Sequence, residues 1–378
     1  VVEALTALHA TDPATLHLSV WARLPLRSVA ASVLATRAAL QDRRSVARIL
    51  AMRRTLHVVP RTLVPASLAL ARARLDGPQR KRLEPLLLAS GLASPRSLQA
   101  TTERIFEDVL SALDGVDLDT DALGERAPVL QTRCLVGEGK SYATEVPLGR
   151  VVLEAMGNLG LLLRAREVGG WRQGRCTWAR VDQWYPGLAI PPPREAYRDL
   201  LRAWLRSFGP ATPADAAWWH GLPARDITQA RRDLGAEVQE VAIEGFAGPF
   251  WMLANTALDG LDQPLGVSLL PGLDPSIMAC KERSLFLEPG WYEQIFDRNG
   301  NAGPTIWLDG RVVGGWACDP SGQVVTRALE PLGKREQRAI DEAASELAQA
   351  LAGERVQPRF PVPLSKELGN GPPDLPVR

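Results

Sequence analysis

Near the start of the chain, His9-Ala10-Thr11-Asp12 sets an imidazole, a hydroxyl and a carboxylate within four residues. A neutral imidazole has one acceptor nitrogen and one donor, and a threonine hydroxyl rotates to serve as either. Such a small polar constellation could meet a ligand through these atoms. On a helix, residues 9 and 11 would sit on different faces, whereas on an extended exit from a helix they point the same way. Val1, Val2, Leu5 and Leu8 form a short apolar helix pattern that ends at this point. Asp12-Pro13 then reads as a helix start, with Asp12 as N-cap and Pro13 at the first helical position. On periodicity alone the stretch from Leu8 to Thr15 is a turn.

Few other residues suggest chemistry. His17 precedes Trp21 by one helical turn, and His220 follows Trp218-Trp219, so both read as packing residues. His57, beside Thr55 in an alternating stretch, reads as a satisfied core histidine. Cys134, Cys176, Cys280 and Cys318 are far apart, with no CxxC pair and no histidine at zinc-ligand spacing. They read as reduced thiols in or near the core. No phosphate-binding glycine loop or dinucleotide fingerprint is present, and Lys281 has no setting that suggests a Schiff base. Neither a metal nor a cofactor is expected.

The elements that would position these residues must form more than one core, because 378 residues imply two to four modules. Apolar content of 46% and charged content of 23% are ordinary for a soluble globular protein, and no apolar run is long enough to span a membrane. The first residue is Val, and nothing near it resembles a signal peptide. The net charge of +1 conceals an asymmetry. Residues 1–90 hold fourteen Arg and Lys against five acids, a net +9, which leaves −8 on the remainder. A basic front half suits a polyanionic partner, although a solvated helical surface can produce the same count. Glu103 to Glu125, with eight acids and only Arg104, is not a surface for a polyanion.

Pro13–Leu24 and Val29–Leu40 read as helices, and Ser45 as the cap of a third. Arg54 to Pro60 switches to β-branched alternation, with Arg43, Arg44, Arg48, Arg53 and Arg54 gathered at the switch and Arg61 just beyond. Helices followed by a short strand and a basic cluster describe a winged helix-turn-helix. The pattern recurs as helices over Thr101–Leu113, Asp119–Leu130 and Leu148–Leu163 with a strand over Arg172–Val181. A third round runs from Glu195–Phe208 through Thr212-Pro213-Ala214-Asp215 and Pro223–Leu234 to a wing over Val238–Leu253. After Asn255, short apolar runs alternate with Gly and Pro, and Asp309-Gly310 marks a type I′ hairpin in a small barrel-like β domain. Arg335–Ala352 reads as an amphipathic helix, and the Pro-rich stretch from Gln357 onward as a mobile tail. The fold class is α+β: three tandem winged helices over 1–92, 93–192 and 193–255, a β-barrel-like domain over 256–330, and a C-terminal helix and tail over 331–378.

Several segments resemble the winged-helix DNA glycosylases of the AlkZ/YcaQ family. They are Leu8 to Pro13, Leu18 to Leu24, Ala51 to Val58, Gly209 to Asp215 with Trp218, Trp219 and Gly221-Leu222-Pro223, Leu269 to Pro275, and Asp309 to Gly314. They occur in family order from about residue 1 to 330. The resemblance implies three winged helices and a β-barrel curved into a C around duplex DNA. It also implies hydrolysis of the N-glycosidic bond of alkylated purines, including crosslinks and bulky N7-guanine adducts. Family members usually carry Gln-x-Gln or Gln-x-Asp where this chain has His9-Ala10-Thr11.

Chemistry limits what that change costs. An N7-alkylated guanine is already cationic and leaves readily, so the enzyme has only to place a water and tolerate an oxocarbenium-like charge. His9 and Thr11 supply the groups to hold that water, with His9 as weak general base, and a protonated His9 would instead repel the cation. Asp12 reads equally as helix cap or as the carboxylate that offsets the cation. The expected catalytic residues are therefore His9, Thr11 and Asp12. Arg43, Arg44, Arg48, Arg53, Arg54 and Arg61 are the expected phosphate contacts, which give salt-sensitive affinity rather than sequence choice. Asp274, in a Pro-rich turn, is expected to hold the β domain against the catalytic module, with a DNA-facing role as the lesser alternative. The expected partner is duplex DNA carrying alkylpurine adducts, bound by a cytoplasmic monomer. The altered pair suggests self-resistance to a DNA-alkylating antibiotic such as a trioxacarcin-type compound. A non-catalytic adduct binder or a transcription regulator is the other class, and the latter would form two-fold dimers on half-sites.

Overall fold

The computed structural model describes residues 1–136, 139, 143–257 and 266–370. The elements run β1 (Leu8–His9), α1 (Pro13–Trp21), α2 (Val29–Arg37), β2 (Val46–Leu50), β3 (Leu56–Pro60), α3 (Val64–Ala89), α4 (Leu98–Ala112) and α5 (Thr120–Arg126). Next come β4 (Arg133–Val136), β5 (Thr144–Pro147), α6 (Leu148–Asn158), β6 (Leu162–Glu167), β7 (Cys176–Arg180) and α7 (Val181–Trp184). They continue as α8 (Pro193–Phe208), α9 (Pro213–His220), α10 (Ala224–Leu234), β8 (Val238–Val241), β9 (Phe250–Leu253), β10 (Val267–Leu270) and α11 (Pro275–Met278). The last are α12 (Tyr292–Ile295), β11 (Thr305–Leu308), β12 (Arg311–Cys318), β13 (Val324–Ala328), α13 (Lys334–Leu351) and α14 (Pro363–Gly369). They form two compact units. One comprises Val1–Ala39, Trp171–Gln173 and Leu201 onward, and the other Leu40–Gly170 and Gly174–Leu200.

In the first unit, α1 starts as its sequence indicates: Asp12 is the N-cap, its Oδ1 accepting the Ala14 N–H at 3.0 Å, with Pro13 following. Every residue from Ala14 to Val20 is buried, so the polar ones need partners. Thr15 donates to the Gly272 carbonyl at 2.6 Å, and Ser19 to Asp274 Oδ2 at 2.7 Å. The His17 ring stands edge-on to Trp171, 5.8 Å between centroids. Asp274 is fully buried and takes Arg23 through both oxygens, at 2.7 and 2.9 Å. These bonds tie α1 to the turn before α11, as expected for Asp274.

The expected barrel is replaced by an open antiparallel sheet in the order β10-β11-β12-β13. Closure is unnecessary because helices cover both faces. Val313 packs with Ile340 and Leu347 of α13 and with Val29 and Val33 of α2, whereas Val312, on the opposite face, packs with Ile277 and Leu364. The β11–β12 turn is the expected one, with φ positive at both Asp309 (47°) and Gly310 (81°). A Cβ on Gly315 would lie 2.7 Å from Leu364 Cδ2, so glycine there lets α14 seat against β12.

Residues 357–370, expected to be a mobile tail, instead pack against the sheet, with Val362, Leu364 and Ser365 buried. The three prolines at 358, 361 and 363 restrict the path while apolar neighbours find a core. Two N-terminal expectations also change. The residues before β1 form turns rather than a helix, and Ser45 precedes strand β2 rather than a third helix. Val46–Ile49 are all buried, which suits a strand with both faces covered better than a helix face.

The rest of this unit contains α9, α10 and the β8–β9 hairpin. Thr212 and Asp215 form a capping box at the start of α9, and Gly221 ends α9 in the left-handed region at φ 67°. Asp215 is fully buried, and its second oxygen accepts the N–H groups of Lys281 and Glu282 at 2.6 and 2.7 Å. His220 is a packing residue, its Nδ1–H donating to the Ala216 carbonyl at 2.7 Å among Trp204 and Trp219.

In the second unit, β3, β2, β6 and β7 lie side by side, while α3, α4, α5 and α6 share a core of Leu83, Leu87, Ile105, Val109, Leu123 and Met156. His57 on β3 is buried, with its Nδ1–H donating to the Thr55 carbonyl at 3.1 Å. Burial first, then the charge of Arg53, push its imidazole down to about 3, against the Thr55 bond. The four cysteines are free thiols, all buried. Among the described residues no helix is long and apolar enough to cross a membrane.

Two stability predictions follow from these contacts. Replacing Asp274 with Ala strands the Arg23 guanidinium and Ser19, and should cost about 3 kcal/mol in urea unfolding; a loss below about 1 kcal/mol would show that the pair does not anchor α1. For His57, the native imidazole binds a proton less readily than the unfolded one, so stability present above pH 6.5 is lost as pH falls toward 3. The loss by pH 5 should be about 2 kcal/mol, and His57→Gln should remove it. Equal pH slopes in parent and variant would contradict this.

Candidate active site and nucleic-acid interface

His9, Thr11 and Asp12 belong to the first unit, and Arg43, Arg44, Arg48, Arg53, Arg54 and Arg61 to the second. Each set is described within its own unit.

His9 ends strand β1 and is buried, and two residues later Thr11 leads into the cap of α1. After the two-residue strand the chain bends at Thr11 and Asp12, so the segment is the turn that periodicity indicates rather than an extended exit from a helix. The Thr11 hydroxyl is buried and has no hydrogen-bond partner among the described residues. The backbone around it is held firmly. The Thr11 carbonyl accepts Arg359 Nη1 at 2.9 Å, and Asp12 Oδ2 accepts the Arg359 backbone N–H at 2.9 Å. With Oδ1 on Ala14, both Asp12 oxygens are engaged by main-chain donors. Burial raises the Asp12 carboxyl above its ordinary range, opposed by the N–H groups of Arg359 and Ala14 and by the Arg359 charge. The corner thus presents a buried hydroxyl two residues after a buried imidazole, backed by a helix cap.

The arginines separate into different jobs. Arg44 lies flat on the Trp184 ring, 3.9 Å from its centroid, and donates to the Trp184 carbonyl at 3.2 Å. Arg61, exposed, stands 5.4 Å from the Tyr185 ring, and the Tyr185 hydroxyl in turn donates to the Val46 carbonyl at 3.0 Å. Arg166, which the sequence reading did not select, approaches Trp184 at 5.7 Å while bonding Asp117. An aromatic pair at the end of α7 therefore gathers Arg44, Arg61 and Arg166. Arg43 is exposed. Arg48 is not available to a phosphate in this way: it is buried on β2 and ion-paired with Glu167. Arg53 is half-buried in the left-handed region at φ 52°, where its charge acts on His57. The Arg54 side chain lies outside the described residues.

Sequence reasoning missed Arg359 because it lies 347 residues from Asp12, beyond any local pattern. The aromatic pair Trp184-Tyr185 carried a signal, an aromatic doublet far along the chain from the basic cluster, but no periodicity joins them. Among the described residues no three His, Cys, Asp or Glu side chains come together as a metal-ligand set.

Comparison with known proteins supplies what geometry alone leaves open. Residues 2–350 match the family model described as DNA glycosylase AlkZ-like. The chain is 26% identical over 355 residues to an interstrand DNA cross-link repair glycosylase of Streptomyces sahachiroi, covering 88% of this chain and 89% of that protein. The solved structure of the Streptomyces sahachiroi DNA glycosylase AlkZ shares its fold, with a TM-score of 0.68 over 94% of this chain and 91% of that one at 24% identity. With a family match across nearly its whole length, the chain belongs to the AlkZ-like family of DNA glycosylases.

Proposed function

We propose that this glycosylase hydrolyses the N-glycosidic bond of bulky N7-alkylguanine adducts in duplex DNA, leaving an abasic site, with His9 and Thr11 handling the water. The observation that carries this reading is the buried Thr11 hydroxyl without a partner among the described residues, on a backbone held by Arg359 and by the cap. A buried polar group left unpaired is costly, and a water held for reaction would satisfy it. The cationic base departs with the bonding electrons of the C1′–N9 bond, and the water oxygen bonds to C1′. The water's proton passes first to His9. Asp12, already engaged as a cap, contributes negative charge beside the developing cation rather than taking the proton.

The duplex is gripped through phosphates by Arg43, Arg44 and Arg61, with Arg48 serving the fold instead. The elements support a reading as three winged helices over 1–92, 93–192 and 193–255, followed by the β region from 256 and the C-terminal helices. The name of the Streptomyces sahachiroi relative adds interstrand cross-links to the substrates worth assaying. The replacement of the family's usual Gln-x-Gln by His-x-Thr suits a divergent, cytoplasmic, monomeric self-resistance enzyme against a trioxacarcin-type alkylator.

Base release from duplexes carrying a defined N7-guanine adduct should fall roughly a hundredfold in His9→Ala and in Thr11→Ala, with duplex binding retained. Tight adduct binding by the parent without any base release would sink the assignment of this pair. For the grip, Arg43→Gln and Arg61→Gln should each reduce the slope of log affinity against log salt by about 0.9. Unchanged slopes would place the phosphate contacts elsewhere.

A further inference from the structure

The stretch after α13 does more than cover the sheet. It turns back to the His9–Asp12 corner and places one residue, Arg359, against both Thr11 and Asp12. The backbone N–H of Arg359 goes to Asp12 Oδ2, and its guanidinium Nη1 goes to the Thr11 carbonyl, each at 2.9 Å. The segment that carries it is built to hold position. Val356 and Val362 are buried on either side, the Val362 N–H is capped by Ser365 Oγ at 3.0 Å, and prolines at 358 and 361 restrict the backbone flanking Arg359. Arg359 also lies beyond residues 2–350, the part of the chain matched by the family model.

We infer that Arg359 is a positioning residue for base excision, holding the Thr11–Asp12 peptide so that the Thr11 hydroxyl faces the reacting water. The inference rests on the role proposed above for Thr11. The Thr11 carbonyl belongs to the peptide plane that joins Thr11 to the helix cap, so a donor on that oxygen fixes the plane's rotation. Asp12 then anchors the far side of the same plane through the cap bond and the Arg359 N–H. The contribution is geometric. A cation beside a centre that becomes positive would not speed the reaction by its charge, and the Asp12 carboxylate lies between main-chain donors to offset it. Small displacements of a water-holding group are costly to rate, while ground-state binding of a long duplex is spread over many other contacts.

The test uses the full chain and a duplex with a single trioxacarcin-type N7-guanine adduct as probe, following single-turnover base release and duplex Kd. Arg359→Ala keeps the backbone bond to Asp12 and loses only the guanidinium. Its release rate should fall about tenfold with Kd within about twofold of the parent. Arg359→Lys, which can still donate to the Thr11 carbonyl, should recover most of the rate. Melting temperature is followed in parallel, and if Arg359→Ala does not fold, Arg359→Gln provides the same two readouts. A parent-like rate in Arg359→Ala, alongside an impaired Thr11→Ala, overturns the inference while leaving the proposed pair intact. A weakened Kd with an unchanged rate also overturns it, by making Arg359 a DNA contact. A parent-like rate in Thr11→Ala removes the reading beneath it.

Discussion

Helix α1 is buried on every side, and the first unit depends on how its polar residues are satisfied. A helix that carries Thr15, His17 and Ser19 into an interior must find a partner for each, or lose on the order of 1–3 kcal/mol for every orphan. The partners come from more than 250 residues along the chain: the Gly272 carbonyl and the Asp274 carboxylate, which also binds Arg23 at the helix end. The N-terminal end is fixed in the same way by Asp12 and Arg359. Because α1 is held at both ends by distant segments, the residues just before it inherit a defined position. His9 and Thr11 are therefore placed by the burial of the helix that follows them.

The same logic explains why similar residues serve different ends. Arg23 and Arg48 are both drawn to carboxylates in buried or half-buried settings, where a bidentate or close ion pair offsets desolvation. Arg44 and Arg61 instead lie on aromatic rings near the surface, an arrangement that pre-orders the guanidinium while leaving donors available. Within the basic cluster from Arg43 to Arg61, Arg48 is thus structural while Arg44 sits over an aromatic ring. Strand alternation and the location of the nearest acid make the difference, and neither can be read from the cluster itself.

Several features were legible because their causes are local. The Asp12-Pro13 cap, the Thr212–Asp215 capping box, the Asp309-Gly310 turn and the β8–β9 hairpin each follow from a few adjacent residues with fixed conformational preferences. The errors share a cause as well. Ser45 looks like a cap but leads into β2, because burial on both faces erases the alternation that marks a strand. Helix α3 runs through Gly77 and Pro78, residues that normally interrupt a helix, so no local signal marks it. The barrel became an open sheet, and the Pro-rich tail a packed segment, because helices from outside the β region cover both sheet faces.

By itself, then, the chain's sequence determined the local starts and turns, the family, and the unusual His-x-Thr pair at the candidate site. The tertiary structure decided which arginines are consumed internally, what anchors α1, and that Arg359 closes on Thr11 and Asp12. The reason is physical. Caps and turns are set by short-range sterics and hydrogen bonds, whereas the partner of a buried polar group is chosen by whichever segment the whole core brings within about 3 Å.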